Sequence, residues 1–549
     1  MTETVVVLGG GIGGLSAAHE LVEREYEVEV YEKRPIFGGK ARSVDVPGTA
    51  GEETKPLPGE HGFRFFPAFY RHVFDTMRRI PYEDNEEGVF DNLVETTQWL
   101  IAREGDAEVE LPLDLPGMIE EWDTVIETLV GTELDIPPEE QRFFADRLLT
   151  FLSSCEERRE AEYEHLPWWE FVEAEGKSEA YRRFYGVGPT RVLVAMQAEK
   201  SSTRTIGRIY AQLLLGIAMP WLHVDSVLDG PTNDVWIDPW VEYLREQGVT
   251  FHSGAELRGF GLDDGRVSHA EVATDDGERT ASGDYYVAAV PVEVMADLLT
   301  DELVEAAPSL ADLDRLRTAW MNGIQFYLDE PVPIAHGHVV YEDAPWALTS
   351  ISQQEFWDDV DLSEYGDGDV ESIISLCISD WETEGETVGK PAKECTPVEI
   401  KREVWAQMTA RLNDAGKETL DEDAIVTWHL DPDIEFPAPN ETTNAEPLLI
   451  NTVGSLEHRP EADLAVPNLF LAADYVRTHT DLATMEAANE AARRAVNGII
   501  AASGDEQPRC DVWPLEEPSV FEPMKAYDRL RFEMGLPHRD LGPTDSLEG

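Results

Sequence analysis

The sequence predicts an α/β protein built around a central parallel sheet, and three observations carry that reading. Val5-Val6-Val7-Leu8 is an unbroken apolar run, the mark of a strand buried on both faces of a parallel sheet. It passes without a spacer into Gly9-Gly10-Gly11-Ile12-Gly13-Gly14, followed by a helical pattern with Leu15, Ala18, Leu21 and Val22 on one side. Residues 27–31 then alternate charged and apolar and end on Glu32, which completes a βαβ unit.

Gly9, Gly11 and Gly14, with Gly13 in the same turn, match the G-x-G-x-x-G spacing of a Rossmann-type dinucleotide site. The first glycine permits a tight turn, the second lets backbone approach a pyrophosphate, and the third lets helix and strand pack closely. The pyrophosphate belongs on the helix N-terminus, where free amides and the macrodipole favour an anion. Glu32 stands 18 residues beyond Gly14, at the end of the second strand, where a carboxylate accepts hydrogen bonds from ribose hydroxyls and disfavours a 2′-phosphate. The fingerprint alone does not separate NAD from FAD.

The chain has 549 residues and a formal net charge of -67, from 43 Lys plus Arg against 110 Asp plus Glu. That sign excludes a nucleic-acid binder driven by phosphate contacts. The acids are spread along the whole chain, and ten Lys stand beside 33 Arg, so the composition is similar to that of halophilic archaeal proteins. A salt-requiring fold is expected, because self-repulsion destabilises the compact state in dilute buffer. Cys155, Cys377, Cys395 and Cys510 show no CxxC or metal-ligand spacing and read as free thiols in a reducing cytoplasm, with no metal site expected. No basic and apolar leader opens the sequence, so secretion is not expected. Apolar stretches such as 213–222 are too short to span a bilayer, which leaves peripheral membrane contact open.

After the second strand, Lys33-Arg34-Pro35-Ile36-Phe37-Gly38-Gly39-Lys40-Ala41-Arg42 resembles the post-Rossmann motif of the flavin amine oxidase and phytoene desaturase superfamily. In that superfamily paired glycines and a following basic residue meet the FAD diphosphate, which implies FAD-binding roles for Lys33, Gly39, Lys40 and Arg42. The family usually has Arg directly after the glycines. Lys40 stands there instead, a point charge in place of a bidentate fork, so the direct phosphate contact could shift to Arg42.

Residues 60–70, Glu-His-Gly-Phe-Arg-Phe-Phe-Pro-Ala-Phe-Tyr, resemble a segment of plant-type carotene desaturases and squalene-associated desaturases. Phe63, Phe65, Phe66, Phe69 and Tyr70 suit a tight apolar wall, and the Arg64 guanidinium among them needs an aromatic face or a cofactor oxygen as partner. The resemblance adds Gly62, Phe63 and Arg64 to the cofactor contacts. His61, Arg64 and Tyr70 are pocket candidates by position, and no general base is named.

Near the C-terminal end, Asn468-Leu469-Phe470-Leu471-Ala472-Ala473-Asp474 reads as a buried strand ending in a carboxylate, and 484–495 reads as a small-residue helix beginning Thr-Met-Glu. The pair resembles the family's closing motif, which implies that Asp474 meets the ribityl or diphosphate end of FAD and that the helix at Met485 points at the flavin pyrimidine. A helix N-terminus there stabilises negative charge on reduced flavin. Leu257, in a strand expected over 255–260, is the apolar side chain implied for the adenine.

The expected organisation is a discontinuous FAD-binding domain (1–95, 230–300 and 445–505) containing the parallel sheet and a small antiparallel sheet. A mixed α+β substrate domain (96–229 and 301–444) and a C-terminal tail (506–549) complete it. Region 96–230 reads as helical, with segments such as 143–152, and strand patterns stand at 324–328 and 373–378. With one dinucleotide fingerprint, the chain is expected to take electrons from a substrate and pass them to a quinone or oxygen. The resemblance favours desaturation of a long isoprenoid such as a carotene or squalene derivative, with isomerisation or dehydroxylation as related outcomes. An amine oxidase and a flavin-free prenyl-binding escort on the same scaffold are the alternatives. Residues 321–327, matched to the amine oxidase segment that carries a lysine, contain none.

Overall fold

A computed structural model describes residues 2–51, 54–113, 135–218, 224–413, 418–438, 441–504 and 506–539. Its centre is a five-stranded parallel sheet in the order Thr250–Ser253, Glu27–Glu32, Thr4–Leu8, Tyr285–Ala288 and Leu469–Leu471. Val5 to Leu8 pair with Val28 to Tyr31 on one side and with Tyr285 to Ala288 on the other, so this apolar run is the sheet's middle strand and is fully buried. The helices Ile12–Val22 and Met485–Ser503 pack together beside this sheet. Alanines make that approach close: a side chain on Gly13 would place Cβ 3.6 Å from the Ala488 carbonyl oxygen. The helix Asp238–Glu246 packs alongside Ile12–Val22, where Trp240 Nε1 donates to His19 Nδ1 at 3.0 Å.

A small antiparallel sheet, Glu256–Asp263, Arg266–Thr274 and Gly277–Ala281, follows the edge strand Thr250–Ser253. The expected α/β class with a parallel and a small antiparallel sheet therefore holds. A second, mixed sheet of seven strands runs in the order Ile425–Leu430, Asn322–Leu328, Ser372–Ile378, Leu348–Ser352, Val339–Tyr341, Gln98–Ala102 and Val109–Pro112. The helix Pro397–Leu412 packs against this sheet, with Trp405 and Phe326 ring centroids 4.9 Å apart. Pro138–Ser153 and Thr203–Ala218 pack together in a helical cluster, where Phe144 stacks on Tyr185 at 3.9 Å.

One expectation is corrected. Region 96–230 opens not with helix but with the strands Gln98–Ala102 and Val109–Pro112. The first pairs in parallel with Val339–Tyr341, so its conformation is set by a partner more than 200 residues away, which local periodicity does not register. The helix Asp238–Glu246 is preceded by a π-helical turn, Asn233–Ile237. Within the C-terminal tail, Glu522–Glu533 is a helix docked by Asp528, 3.0 Å from the buried Arg158. No helix among the described residues is long and apolar enough to cross a membrane.

Candidate active site

A cavity of about 410 Å³ runs from the glycine turn to the aromatic segment 63–70. Gly9, Gly11 and Gly13 line its first end together with Glu32, Lys33, Gly39 and Lys40. Gly9 has φ +116°, and a Cβ there would lie 2.3 Å from the Ala289 carbonyl oxygen. A Cβ on Gly13 would sit 1.9 Å from the Ala472 oxygen and one on Gly14 1.9 Å from the Gly9 oxygen, so no side chain fits at either position. Gly14 thus serves helix-to-strand packing and is not among the lining residues.

Gly11 is the N-cap of the first helix and contributes no side-chain cap, and the first turn carries no acid. Its leading amides are left for a ligand, with the positive end of the helix dipole behind them. Glu32 is buried, and its carboxylate accepts from the Gly10 amide at 2.8 Å and the Arg34 amide at 2.9 Å. Burial raises its pKa, while these two amides pull the other way. Uncapped amides, a glycine floor and a fixed carboxylate are the donor and acceptor set that a dinucleotide diphosphate and ribose require.

The two cations after the paired glycines part company. Lys40 lines the cavity, with Nζ bonded to the Pro447 carbonyl and 3.8 Å from Glu293 Oε1. Arg42 is not among the lining residues. Its buried guanidinium is held by Asp433, by Glu446 Oε2 at 2.9 Å and by the Gly39 carbonyl at 2.6 Å. With that guanidinium held by two carboxylates and a carbonyl, Lys40 and Lys33 are the cations on that wall.

Leu257 lines the cavity beside Ala255 and Glu256, and Asp474 does so at the end of the Leu469–Leu471 strand. Thr484 and Met485 line it at the start of the closing helix, where Thr484 Oγ1 accepts from the Ala487 amide at 3.1 Å. Next to them, Glu486 is turned away and buried. Its carboxylate accepts from the amides of Arg71 at 2.8 Å, His72 at 2.9 Å and Val73 at 2.9 Å, and lies 2.6 Å from His72 Nδ1. It thereby caps the helix Arg71–Arg78, which has no side-chain cap of its own.

The inner end is apolar. Phe63, Phe65, Phe69, Leu193, Ile209 and Leu213 line it, with Tyr70, Met321 and Cys377 beside them. Burial pushes the Tyr70 hydroxyl above its ordinary pKa and the Cys377 thiol up to about 11. Arg64 also lines the cavity, but its partners are not rings: Nη2 donates at 3.4 Å to both Glu60 Oε2 and the Arg42 carbonyl, and Nε has no partner. Burial lifts Glu60 to about 7 even though Arg64 and Thr232 favour its charged form.

His61 lines the cavity with Gly62, and its Nδ1 lies 2.7 Å from Asp431 Oδ2, an ion pair rather than an aligned hydrogen bond. Sequence reasoning named His61 but missed Asp431, Asp433, Arg34 and Glu446, which stand around it. The one local signal was Asp431-Pro432-Asp433, a turn placing two acids side by side. His61, Asp431 and Asp433 offer metal-type ligand atoms within 4.8 Å of one another. Asp433 is already engaged by the guanidiniums of Arg34 and Arg42, which makes the set an ion-pair network.

Fold and cavity define a protein whose glycine turn suits a dinucleotide and whose cavity ends in an apolar chamber. Residues 12–500 match the model of the flavin-containing amine oxidoreductases, and the chain belongs to that family; it is a flavin-dependent oxidoreductase. It is 23% identical over 529 residues to a zeta-carotene desaturase of Synechocystis sp., covering 90% of this chain and 97% of the relative. A 15-cis-phytoene desaturase of Synechococcus elongatus is 23% identical over 527 residues, covering 93% and 98% of the two chains. Among solved structures, a cyclohexylamine oxidase from Brevibacterium oxydans superposes with a TM-score of 0.60 at 13% identity, covering 92% and 99%, a likeness of fold.

Proposed function

We propose that the protein holds FAD and desaturates a long isoprenoid such as a carotene or squalene derivative, passing the electrons to a quinone or oxygen. The observation that carries this reading is the inner wall of the cavity, where phenyl rings and branched aliphatic side chains surround the space beyond His61 and Met485. Full-length similarity to two carotenoid desaturases supports it. In this reading residues 1–95, 230–300 and 445–505 form the FAD-binding domain and 96–229 with 301–444 the substrate domain.

The bound flavin supplies a two-electron acceptor. The amides at Gly11 to Gly13 and the Lys40 ammonium would hold the diphosphate, Glu32 would accept from the adenosine ribose, and Leu257 would cover the adenine; these residues line the cavity. Asp474 accepts from the ribityl chain, and the helix N-terminus at Met485 presents its positive end to the ring system. Phe63, Phe65 and Phe69 exclude water and hold an extended apolar chain, so that catalysis is chiefly alignment. An isoprenoid of this kind partitions into bilayers, so the protein is expected to collect it in peripheral contact with a membrane.

Amine oxidation is the second reading, favoured by the fold of the cyclohexylamine oxidase. Met321, not a lysine, stands on the cavity wall in the segment matched to the amine oxidase lysine. The test is anaerobic bleaching of the flavin band in molar KCl with a panel of polyprenes and of simple amines. Bleaching by polyprenes is expected; bleaching by amines alone would overturn the proposal, and a colourless protein would favour the prenyl-binding escort.

A further inference from the structure

Five charged side chains and His61 converge behind one stretch of the cavity wall. Arg34 Nη2 lies 2.6 Å from Asp433 Oδ1 and 2.7 Å from Glu446 Oε1. Arg42 spans the other oxygens of the same two acids, 2.9 Å from Glu446 Oε2 and in direct contact with Asp433. His61 Nδ1 stands 2.7 Å from Asp431 Oδ2 and 3.6 Å from Asp433 Oδ2. Asp431 is buried and held in place, accepting from Asn322 Nδ2 at 2.6 Å and from the Asp433 amide at 3.1 Å.

Two guanidiniums therefore face three carboxylates. The cluster carries one surplus negative charge unless His61 is an imidazolium, and a surplus charge in a buried site is costly. Lys33 approaches Glu446 at 3.6 Å, but its side chain is 40% exposed, so solvent screens it. Arg64 of the same segment and the Cys377 thiol of Ser372–Ile378 also line the cavity. Burial opposes charge on the ring, yet Asp431, with Asp433 and Glu446, outweighs it and raises the His61 pKa. The His61 ring lines the cavity, with Nδ1 turned to Asp431.

We infer that His61, clamped by Asp431, is a standing cation on the cavity wall that cancels the network's surplus negative charge and so keeps the bound flavin easy to reduce. Asp431 is the positioning residue. The inference rests on the flavin seat proposed above and not on the identity of the substrate. In a desaturation, two electrons and one proton leave the substrate carbon for the flavin, which becomes a monoanion. The second proton leaves the adjacent carbon for solvent as the double bond forms. A new negative charge beside an uncompensated Asp431 is unfavourable; beside the His61–Asp431 pair it is not.

The test is the two-electron midpoint potential of the purified holoprotein and of three variants at neutral pH in molar KCl. His61→Gln leaves the surplus charge, and the reduced-to-oxidised ratio is expected to fall about tenfold, which is about 30 mV for a two-electron couple. Adding Asp431→Asn removes that charge, and the double variant is expected to recover most of the drop. A purely structural role for His61 would leave the double variant at least as low as the single one. Asp431→Asn alone is expected to stay near the wild-type potential, because His61 then loses its proton as the acid is removed.

A histidine NMR titration supplies a second readout that does not depend on flavin retention. His61 is expected to titrate above the ordinary histidine range in the wild type and below it in Asp431→Asn. Unchanged potentials in His61→Gln, failure of the double variant to recover, or a neutral His61 at pH 7 overturns the inference. Absence of any bound flavin in the wild type overturns the cofactor seat instead.

Discussion

Glu60 gives the sharpest stability prediction. The carboxyl is buried against Arg64 and Thr232, and burial lifts its pKa from 4.5 to about 7. An acid whose folded pKa exceeds its unfolded value binds more protons in the native state between those two values, so its contribution to stability falls as pH rises through that window. A rise of about 2.5 units is worth about 3 kcal/mol, at 1.36 kcal/mol per unit. Glu60→Gln mimics the protonated form and removes the titration. Urea unfolding followed by circular dichroism, in constant molar KCl, gives the difference directly, because every other titrating group is common to both proteins. The variant is expected to match the wild type within about 0.5 kcal/mol near pH 4.5 and to be more stable by about 3 kcal/mol near pH 8. An offset that stays constant from pH 4.5 to pH 8 would refute the reasoning.

Three further outcomes follow from the same structure. With a net charge of -67, the melting temperature is expected to climb steeply from dilute buffer to molar KCl, where the Debye length falls to about 3 Å; a flat salt profile counts against it. Gly13→Ala places a methyl 1.9 Å from the Ala472 oxygen, where backbone on both sides must shift by more than about 1 Å. It is expected to purify with much less bound flavin than the wild type, measured as the ratio of visible to protein absorbance. Glu486→Ala strips the cap from three amides, two of them buried, and the partner from His72, and is expected to cost about 3 to 5 kcal/mol in urea unfolding, whereas Glu486→Gln costs less.

The parts of this fold that could be read from sequence are those whose signals are local. The run Val5 to Leu8, the glycine turn and the alternation at 27–31 each declare their own conformation, and the small residues of Met485–Ser503 announce close packing. The same holds for the cavity's first end, where glycine spacing and Glu32 act within one βαβ unit. What escaped depends on partners far along the chain. Gln98–Ala102 is a strand because Val339–Tyr341 lies beside it. Arg42 points into the protein because Asp433 and Glu446 wait there, about 400 residues on, and nothing near Arg42 discloses them. His61 was visible as a pocket residue, but Asp431, which lies 2.7 Å from it just past the strand Ile425–Leu430, was not.

The most direct measurement is the identity of the chromophore released when the purified protein, folded in molar salt, is heat-denatured and its supernatant analysed by mass and absorbance. FAD at close to one molecule per chain is the expected result. A colourless supernatant with no adenine-linked flavin would contradict the seat assigned to the cavity between Gly11 and Met485.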